Sequence, residues 1–501
     1  MRFHGLDFMK FEENSKLLNR YLPAVLFLVA FFWKLPYINV RDISLDEPYS
    51  IYNAQKGVID IIKISTEGEP TPPLFMLLLH FWIKLFGLEP ASVRFLPLIF
   101  NALTVVFVYL TGKRFFSFWA GMIASGLFLF STAHFFHGLE TRAYSLKALE
   151  TAASLYFYLG YIKNRNDRKA LAGLVASNIM LVYTHYFGWF VVFSQLLSNL
   201  LYLRSYKTLW SHYKPQLYTF LGFIPMLWVL VNQFLISKKY GTYVEYPKPF
   251  DYINHLYAFL NSKYFVWIVL YTLGAGLVFL TINLILKRKA YFSLHAVTLL
   301  IWWIVPYTVM FFVSWKIPMF NGRYTLFTTI GMYLLAGALI DLLFVRNKFI
   351  LPLVSVFVLA SMYYYLQILP RSTGYRELKK SIEYVKSIKK EGDIIIIYPK
   401  WSELQFAYYY DRTLFMDHED IYNTLKKNDV FRVWNQTNAS WFIRDYPNRR
   451  VIYVQDGVIA QPNEQIFRYL DTTFVRVDSV HFPFTINVGV YELRDSTAKT
   501  N

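Results

Sequence analysis

The chain has 501 residues, of which 55% are hydrophobic and 20% aromatic, and only 17% are charged. A soluble domain carries about 25% charged residues to wet its surface, so this composition, with its long apolar runs, reads as a polytopic membrane protein. The net charge of +18 is spread over short basic runs between apolar segments and forms no single basic face, which excludes a nucleic-acid groove; the absence of cysteine excludes disulfides, thiolate metal sites and Cys nucleophiles.

In chain order, Tyr21–Val40 is the first span. Arg2, Lys10, Lys16 and Arg20 precede it and favour an inside N-terminus. No small-residue cleavage site follows, so the run is a retained helix rather than a signal peptide. The next apolar run, Pro72–Gly87, covers about sixteen residues and contains His80 and Lys84, short of the roughly 20 residues a span needs. It is therefore taken as a helix lying in the outer interface. Spans Val93–Thr111, Phe118–Phe136, Ala143–Ile162 and Ala170–Tyr186 follow. With this parity the basic stretches at Lys113–Arg114, KNRNDRK, LRSYK with Lys214, Lys287–Lys289 and Arg346–Lys348 all fall inside. Ser237–Lys263 and Ser314–Arg323 are outside loops, and the last span is near Ile350–Leu369. The expected architecture is mainly α, with about eleven spans over residues 1–369. No internal repeat is visible.

The tail, 370–501, changes character. Leu378, Ile382, Val385 and Ile388 form a helical stripe, and DIIIIYP reads as a buried strand. SWFIRDY, RRVIYVQD, FVRVDSV and INVGVYEL read as further strands, with a helix near Glu464–Leu470. This predicts a small extracytoplasmic α/β domain. It carries neither GxGxxG nor GxxxxGK[ST], so nucleotide phosphate binding has no motif there.

Chemistry-bearing residues gather at one predicted level, the outer mouth of the bundle. Asp46 and Glu47 leave the first span in LDEPYSIYNAQ. Glu140, Arg142 and Tyr144 lie in HGLETRAY, with Lys147 and Glu150 one helical turn apart beyond them. Tyr183, His185 and Tyr186 occur in YTHYFGW, and Arg323 and Tyr324 in NGRYTL. Acids facing cations at a lipid-accessible edge suit transfer of a sugar from a lipid phosphate to a hydroxyl. One carboxylate takes the acceptor proton, while the phosphate leaving group needs cations rather than a general acid.

In these stretches, LDEPYSIYNAQ, EPTPPLFMLLLHFWIKLFG, VRFLPL and HGLETRAYSL, the chain resembles the membrane glycosyltransferases of the protein O-mannosyltransferase superfamily. It looks most like bacterial members related to aminoarabinose lipid A transferases. The resemblance covers about residues 20–200 and extends loosely to Arg323–Tyr324; the tail agrees only in position and α/β character. It implies a GT-C fold, a polyprenyl-phosphate sugar donor, and a lipid, glycan or protein acceptor at the outer face of a bacterial inner membrane. Asp46 matches the acid assigned as catalytic base, with Glu47 beside it, and Glu140 matches the second-loop acid. Arg142 and Tyr144 fit the basic–aromatic pair after it. Pro70–Thr71 stands where aminoarabinose transferases carry a phosphate-binding lysine, which shifts phosphate contact to Arg142, His185 or Arg323, with Tyr186 and Tyr324 alongside. No cofactor is required; Mg or Mn held by Asp46 and Glu140 stays open, since oxygen ligands alone do not decide it. The rival functions are a transporter or flippase, which would favour paired repeats and mid-span charges, and a scaffold presenting the tail.

Overall fold

The computed structural model describes residues 16–67, 71–203, 208–240, 244–286, 290–344, 349–366, 377–416, 420–457, 463–483 and 486–493. Pro70, the basic runs at 204–207, 287–289 and 345–348, and the start of the tail at 367–376 lie outside them. The chain divides into two compact units, one of residues 1–36, 59–78 and 94–368 and one of 37–58, 79–93 and 369–501.

Among the described residues of the first unit the regular elements are all helices. Helices Pro90–Phe115, Leu209–Ile236, Leu294–Val313 and Gly322–Phe344 are long and apolar enough to cross a membrane. Leu74–Phe86, Phe118–Leu129, Gly188–Tyr202 and Ile350–Tyr364 are shorter apolar helices. The stretch read as an interfacial helix forms a helix of 13 residues, Leu74–Phe86, about 20 Å at a helical rise of 1.5 Å. The span expected over Phe118–Phe136 is broken: one helix ends at Leu129 and another runs Thr132–His137, with Ser131 extended between them. Asn261 compensates the break. Its amide donates to the Phe130 carbonyl at 2.6 Å and its Oδ1 accepts the Thr132 N–H at 2.7 Å. Backbone groups freed inside a bundle need such partners. The loop expected from Ser237 is also shorter, because one helix continues to Tyr240 and another forms over Asp251–Phe259.

Close helix approach rests on small residues. A Cβ on Gly121 would lie 2.6 Å from the Tyr109 carbonyl, and one on Gly337 would lie 2.5 Å from that of Ala120. Between apolar helices in lipid, packing of this kind and interhelical hydrogen bonds replace the hydrophobic drive. Ser154, Asn178, Gln195 and Thr219 supply the bonds, linked by contacts of 2.6–3.3 Å.

The second unit is built on a five-stranded mixed sheet of order β2-β1-β3-β5-β4. The strands are β1 Ile394–Tyr398, β2 Val430–Arg432, β3 Val451–Asp456, β4 Phe474–Phe482 and β5 Ile486–Leu493. β1 runs parallel to β2 and β3, and β5 runs antiparallel to β3 and β4. The four isoleucines of DIIIIYP are all buried, as an interior parallel strand requires. Helix Leu378–Ile388 buries Leu378, Ile382 and Val385 of the predicted stripe. SWFIRDY, read as a strand, is instead part of helix Gln436–Asp445. Asn435 caps it by accepting the Asn438 N–H at 2.8 Å, and Ala439, Phe442 and Ile443 are buried at helical spacing.

Candidate functional site

In the helical unit, the second-loop segment and the Arg323 segment meet. Tyr144 and Tyr324 have ring centroids 6.2 Å apart, and His185 lies 5.7 Å from Tyr324. The Arg323 guanidinium is 5.3 Å from the Tyr324 ring centre and 5.9 Å from that of Tyr144. Asn321 holds this short helix, Gly322–Thr325, by accepting the Arg323 N–H at 3.2 Å. Lys147, fully buried, donates to the Tyr324 carbonyl at 3.0 Å and lies within 5.1–5.9 Å of the rings of Tyr144, Phe187 and Phe327. Its ammonium thus serves the Tyr324 backbone, while Glu150 accepts from the Thr184 hydroxyl at 2.8 Å. His185 accepts the Phe187 N–H on Nδ1 at 3.2 Å, so the neutral ring carries its proton on Nε2 and presents a donor there. Tyr186 follows at the end of the same helix–turn.

Glu140 sits in the turn after helix Thr132–His137. His137 Nδ1 donates to Glu140 Oε2 at 2.5 Å, with both side chains partly exposed. The pair forms a carboxylate–imidazole unit that the sequence carried in plain view, three residues apart, and that composition alone did not single out. Gly138 permits the turn: a Cβ there would meet the His134 carbonyl at 2.6 Å. Below it, Lys34 donates to Asn101 Oδ1 at 2.5 Å and to the His134 carbonyl at 3.0 Å. The Arg142 N–H donates to the Glu140 carbonyl at 2.7 Å, and the Arg142 side chain is largely buried.

Asp46 and Glu47 belong to the other unit. The Glu47 N–H donates to the Ser44 carbonyl at 3.2 Å, closing a turn whose second residue, Leu45, has φ of +58°. Asp46 is the N-cap residue of helix Glu47–Ala54 and is partly exposed, whereas Glu47 is buried. Of the two, only Asp46 is open to solvent. Glu47 is an electrostatic neighbour of Tyr408, whose hydroxyl donates to the Leu88 carbonyl at 2.7 Å. Burial is the main cause that pushes the Tyr408 phenol up to about 12, so it remains a neutral donor. Residues that a sequence reading missed here are Gln405 and Tyr409, whose contacts to the acid turn span 360 and 366 positions, and Asp456, which holds Gln405.

Among the described residues, no three His, Asp or Glu side chains gather to hold a metal ion.

Residues 70–231 match the family described as dolichyl-phosphate-mannose-protein mannosyltransferase. ArnT from Cupriavidus metallidurans in the apo state is similar in structure, with TM-score 0.58 and 14% identity, covering 94% of this chain and 97% of that one. The same protein bound to undecaprenyl phosphate gives TM-score 0.58 at 13% identity, over 95% and 98% of the two chains. The archaeal oligosaccharyltransferase AglB from Archaeoglobus fulgidus, in complex with an inhibitory peptide and a dolichol-phosphate, gives 0.54 at 10% identity, over 88% and 70%. No curated protein sequence matches the chain. The fold is that of the GT-C multi-pass membrane enzymes, with a small C-terminal α/β region. The family match covers residues 70–231, and the structural matches extend the likeness in fold over most of the chain.

Proposed function

We propose that the chain moves a sugar from a polyprenyl-phosphate donor to an acceptor hydroxyl at the outer face of a bacterial inner membrane, with inversion at the anomeric carbon. Residues 1–369 form the membrane glycosyltransferase domain, with about eleven spans and a cytoplasmic N-terminus. Residues 370–501 form an extracytoplasmic domain. The donor class is supported by the undecaprenyl phosphate and dolichol-phosphate named with the similar structures. The acceptor is a lipid, glycan or protein hydroxyl.

In this reading the acceptor oxygen attacks the anomeric carbon while Asp46 takes its proton. The bond from that carbon to the phosphate oxygen breaks, and the electron pair leaves with the polyprenyl phosphate. The departing phosphate is already a stable anion, so it needs positive charge and donors rather than a proton. Arg323, Arg142, Lys147 and the Nε2–H of His185 supply them, and Tyr144, Tyr186 and Tyr324 line their surroundings. Glu47, buried, orients the acid turn, and Glu140 with His137 organises the second loop.

The observation that carries this reading is the clustering of Arg323, Lys147 and the neutral donor His185 around Tyr324, on a fold shared with ArnT. The experiment is release of undecaprenyl phosphate from a panel of undecaprenyl-phosphate hexoses, pentoses and amino-pentoses by membranes carrying the protein. Protein-dependent release from one member, with the sugar recovered on an envelope glycan, lipid or protein, is expected. No protein-dependent release from any member would refute the reading.

A further inference from the structure

The turn that presents Asp46 is tied at three points to the C-terminal part of its own unit. Asp42 Oδ2 accepts the Lys379 N–H at 2.9 Å, at the start of helix Leu378–Ile388. The Ile43 N–H donates to the Tyr409 hydroxyl at 2.6 Å, and the Leu45 N–H donates to Gln405 Oε1 at 3.3 Å. Gln405 and Tyr409 stand one turn apart on helix Glu403–Tyr410. Gln405 is only 2% exposed, and its Nε2 donates to Asp456 Oδ2 at 2.5 Å. Asp456 is itself buried at the end of β3, the middle strand of the sheet. A chain of bonds therefore runs from the rigid sheet through one buried amide to the residue immediately before Asp46.

The conformation held by this chain is one the turn would not keep for its own sake. Leu45 adopts φ of +58°, in the left-handed region that costs a residue with a Cβ, while its apolar side chain is 53% exposed. Nothing that Leu45 buries offsets that cost. The bonds to its amide and to that of Ile43 are the visible compensation, and both come from the helix Glu403–Tyr410.

We propose that Gln405, oriented by Asp456 and aided by Tyr409, positions the Asp46 carboxylate for proton removal. Gln405 is a positioning residue and touches no reacting atom. The proposal rests on Asp46 acting as the base.

The test uses the full chain in detergent and the undecaprenyl-phosphate sugar that the wild type consumes, with undecaprenyl phosphate release as readout. Gln405→Leu removes both bonds and should lower kcat by about ten- to a hundred-fold, with donor KM within about two-fold. Asp456→Asn leaves an oxygen to accept from Gln405 and should stay within about five-fold of wild type. In an Asp46→Asn background, Gln405→Leu should cost nothing more, because a turn without its base has nothing left to position. Wild-type kcat in folded Gln405→Leu overturns the proposal, as does a full multiplicative loss on top of Asp46→Asn. Where Gln405→Leu does not fold, Tyr409→Phe takes its place, with the same kcat-only loss expected and wild-type kcat again overturning. Wild-type turnover by Asp46→Asn alone removes the base and, with it, the reason for positioning, an outcome distinct from the other two.

Discussion

Lys147→Met separates a cation kept for function from one kept for stability. The Lys147 side chain is fully buried, donates to the Tyr324 carbonyl at 3.0 Å and lies 5.1–5.9 Å from three ring centres. Losing the charged hydrogen bond costs about 1.5–3 kcal/mol. Losing the desolvated cation–π contacts costs about 2 kcal/mol more. Against both, Met no longer strips an ammonium of water, a penalty of several kcal/mol. The terms nearly cancel, so the variant should remain folded within about 2 kcal/mol of wild type. Its charge has no such offset toward a bound phosphate. For a phosphate taken to bind about 7 Å away, at an effective dielectric of about 20, one unit charge contributes about 2.4 kcal/mol, or roughly fifty-fold in Kd. Undecaprenyl phosphate affinity, followed by intrinsic tryptophan fluorescence in detergent, should therefore weaken by about that factor while the melting temperature moves little. Unchanged affinity, or loss of the fold with affinity intact in the surviving fraction, would refute the assignment of Lys147 to the phosphate.

Replacing Arg142 or Arg323 by Ala should weaken donor use by about 1.5–3 kcal/mol each, with Arg142→Lys restoring only part, measured as donor kcat/KM. Single cysteines in this cysteine-free chain should label from outside at Gly138 and Lys316 and from inside at Lys113 and Asn164; an inside label at Gly138 contradicts the topology. Asn435→Ala should cost about 0.5–2 kcal/mol of stability by uncapping helix Gln436–Asp445, read by thermal unfolding. Leu45→Gly should be tolerated, whereas Leu45→Pro, which cannot reach φ of +58°, should lose the fold of the turn and its activity.

What the sequence made legible follows from which interactions are local. Apolar runs and the basic residues between them report span by span, so the helical unit and the strands of DIIIIYP and RRVIYVQD could be read directly. SWFIRDY could not, because Trp, Phe, Ile and Tyr favour strands while the deciding facts, the Asn435 cap and burial at 439, 442 and 443, depend on where the segment packs. β2 has only three residues, too few to show a period. Among site residues, acids and cations at predicted helix ends stood out as costly near lipid. The supports did not: Gln405 and Tyr409 are ordinary polar residues in a distant segment that only the folded register brings to Ile43 and Leu45, and Asp456 reaches the turn only through Gln405. His137, three residues from Glu140, was within reach of the sequence, since that spacing puts two side chains together at a helix end.

The central claim is that a base at Asp46 drives transfer from a lipid phosphate. The measurement that bears on it most directly is single-turnover release of undecaprenyl phosphate from the accepted donor by folded Asp46→Asn, with donor affinity measured in parallel. Asn keeps the shape and removes the base, so release should fall by about 10²–10⁴-fold with affinity nearly unchanged. Near-normal release by a folded variant would contradict the account and move the search for the base to the Glu140–His137 pair.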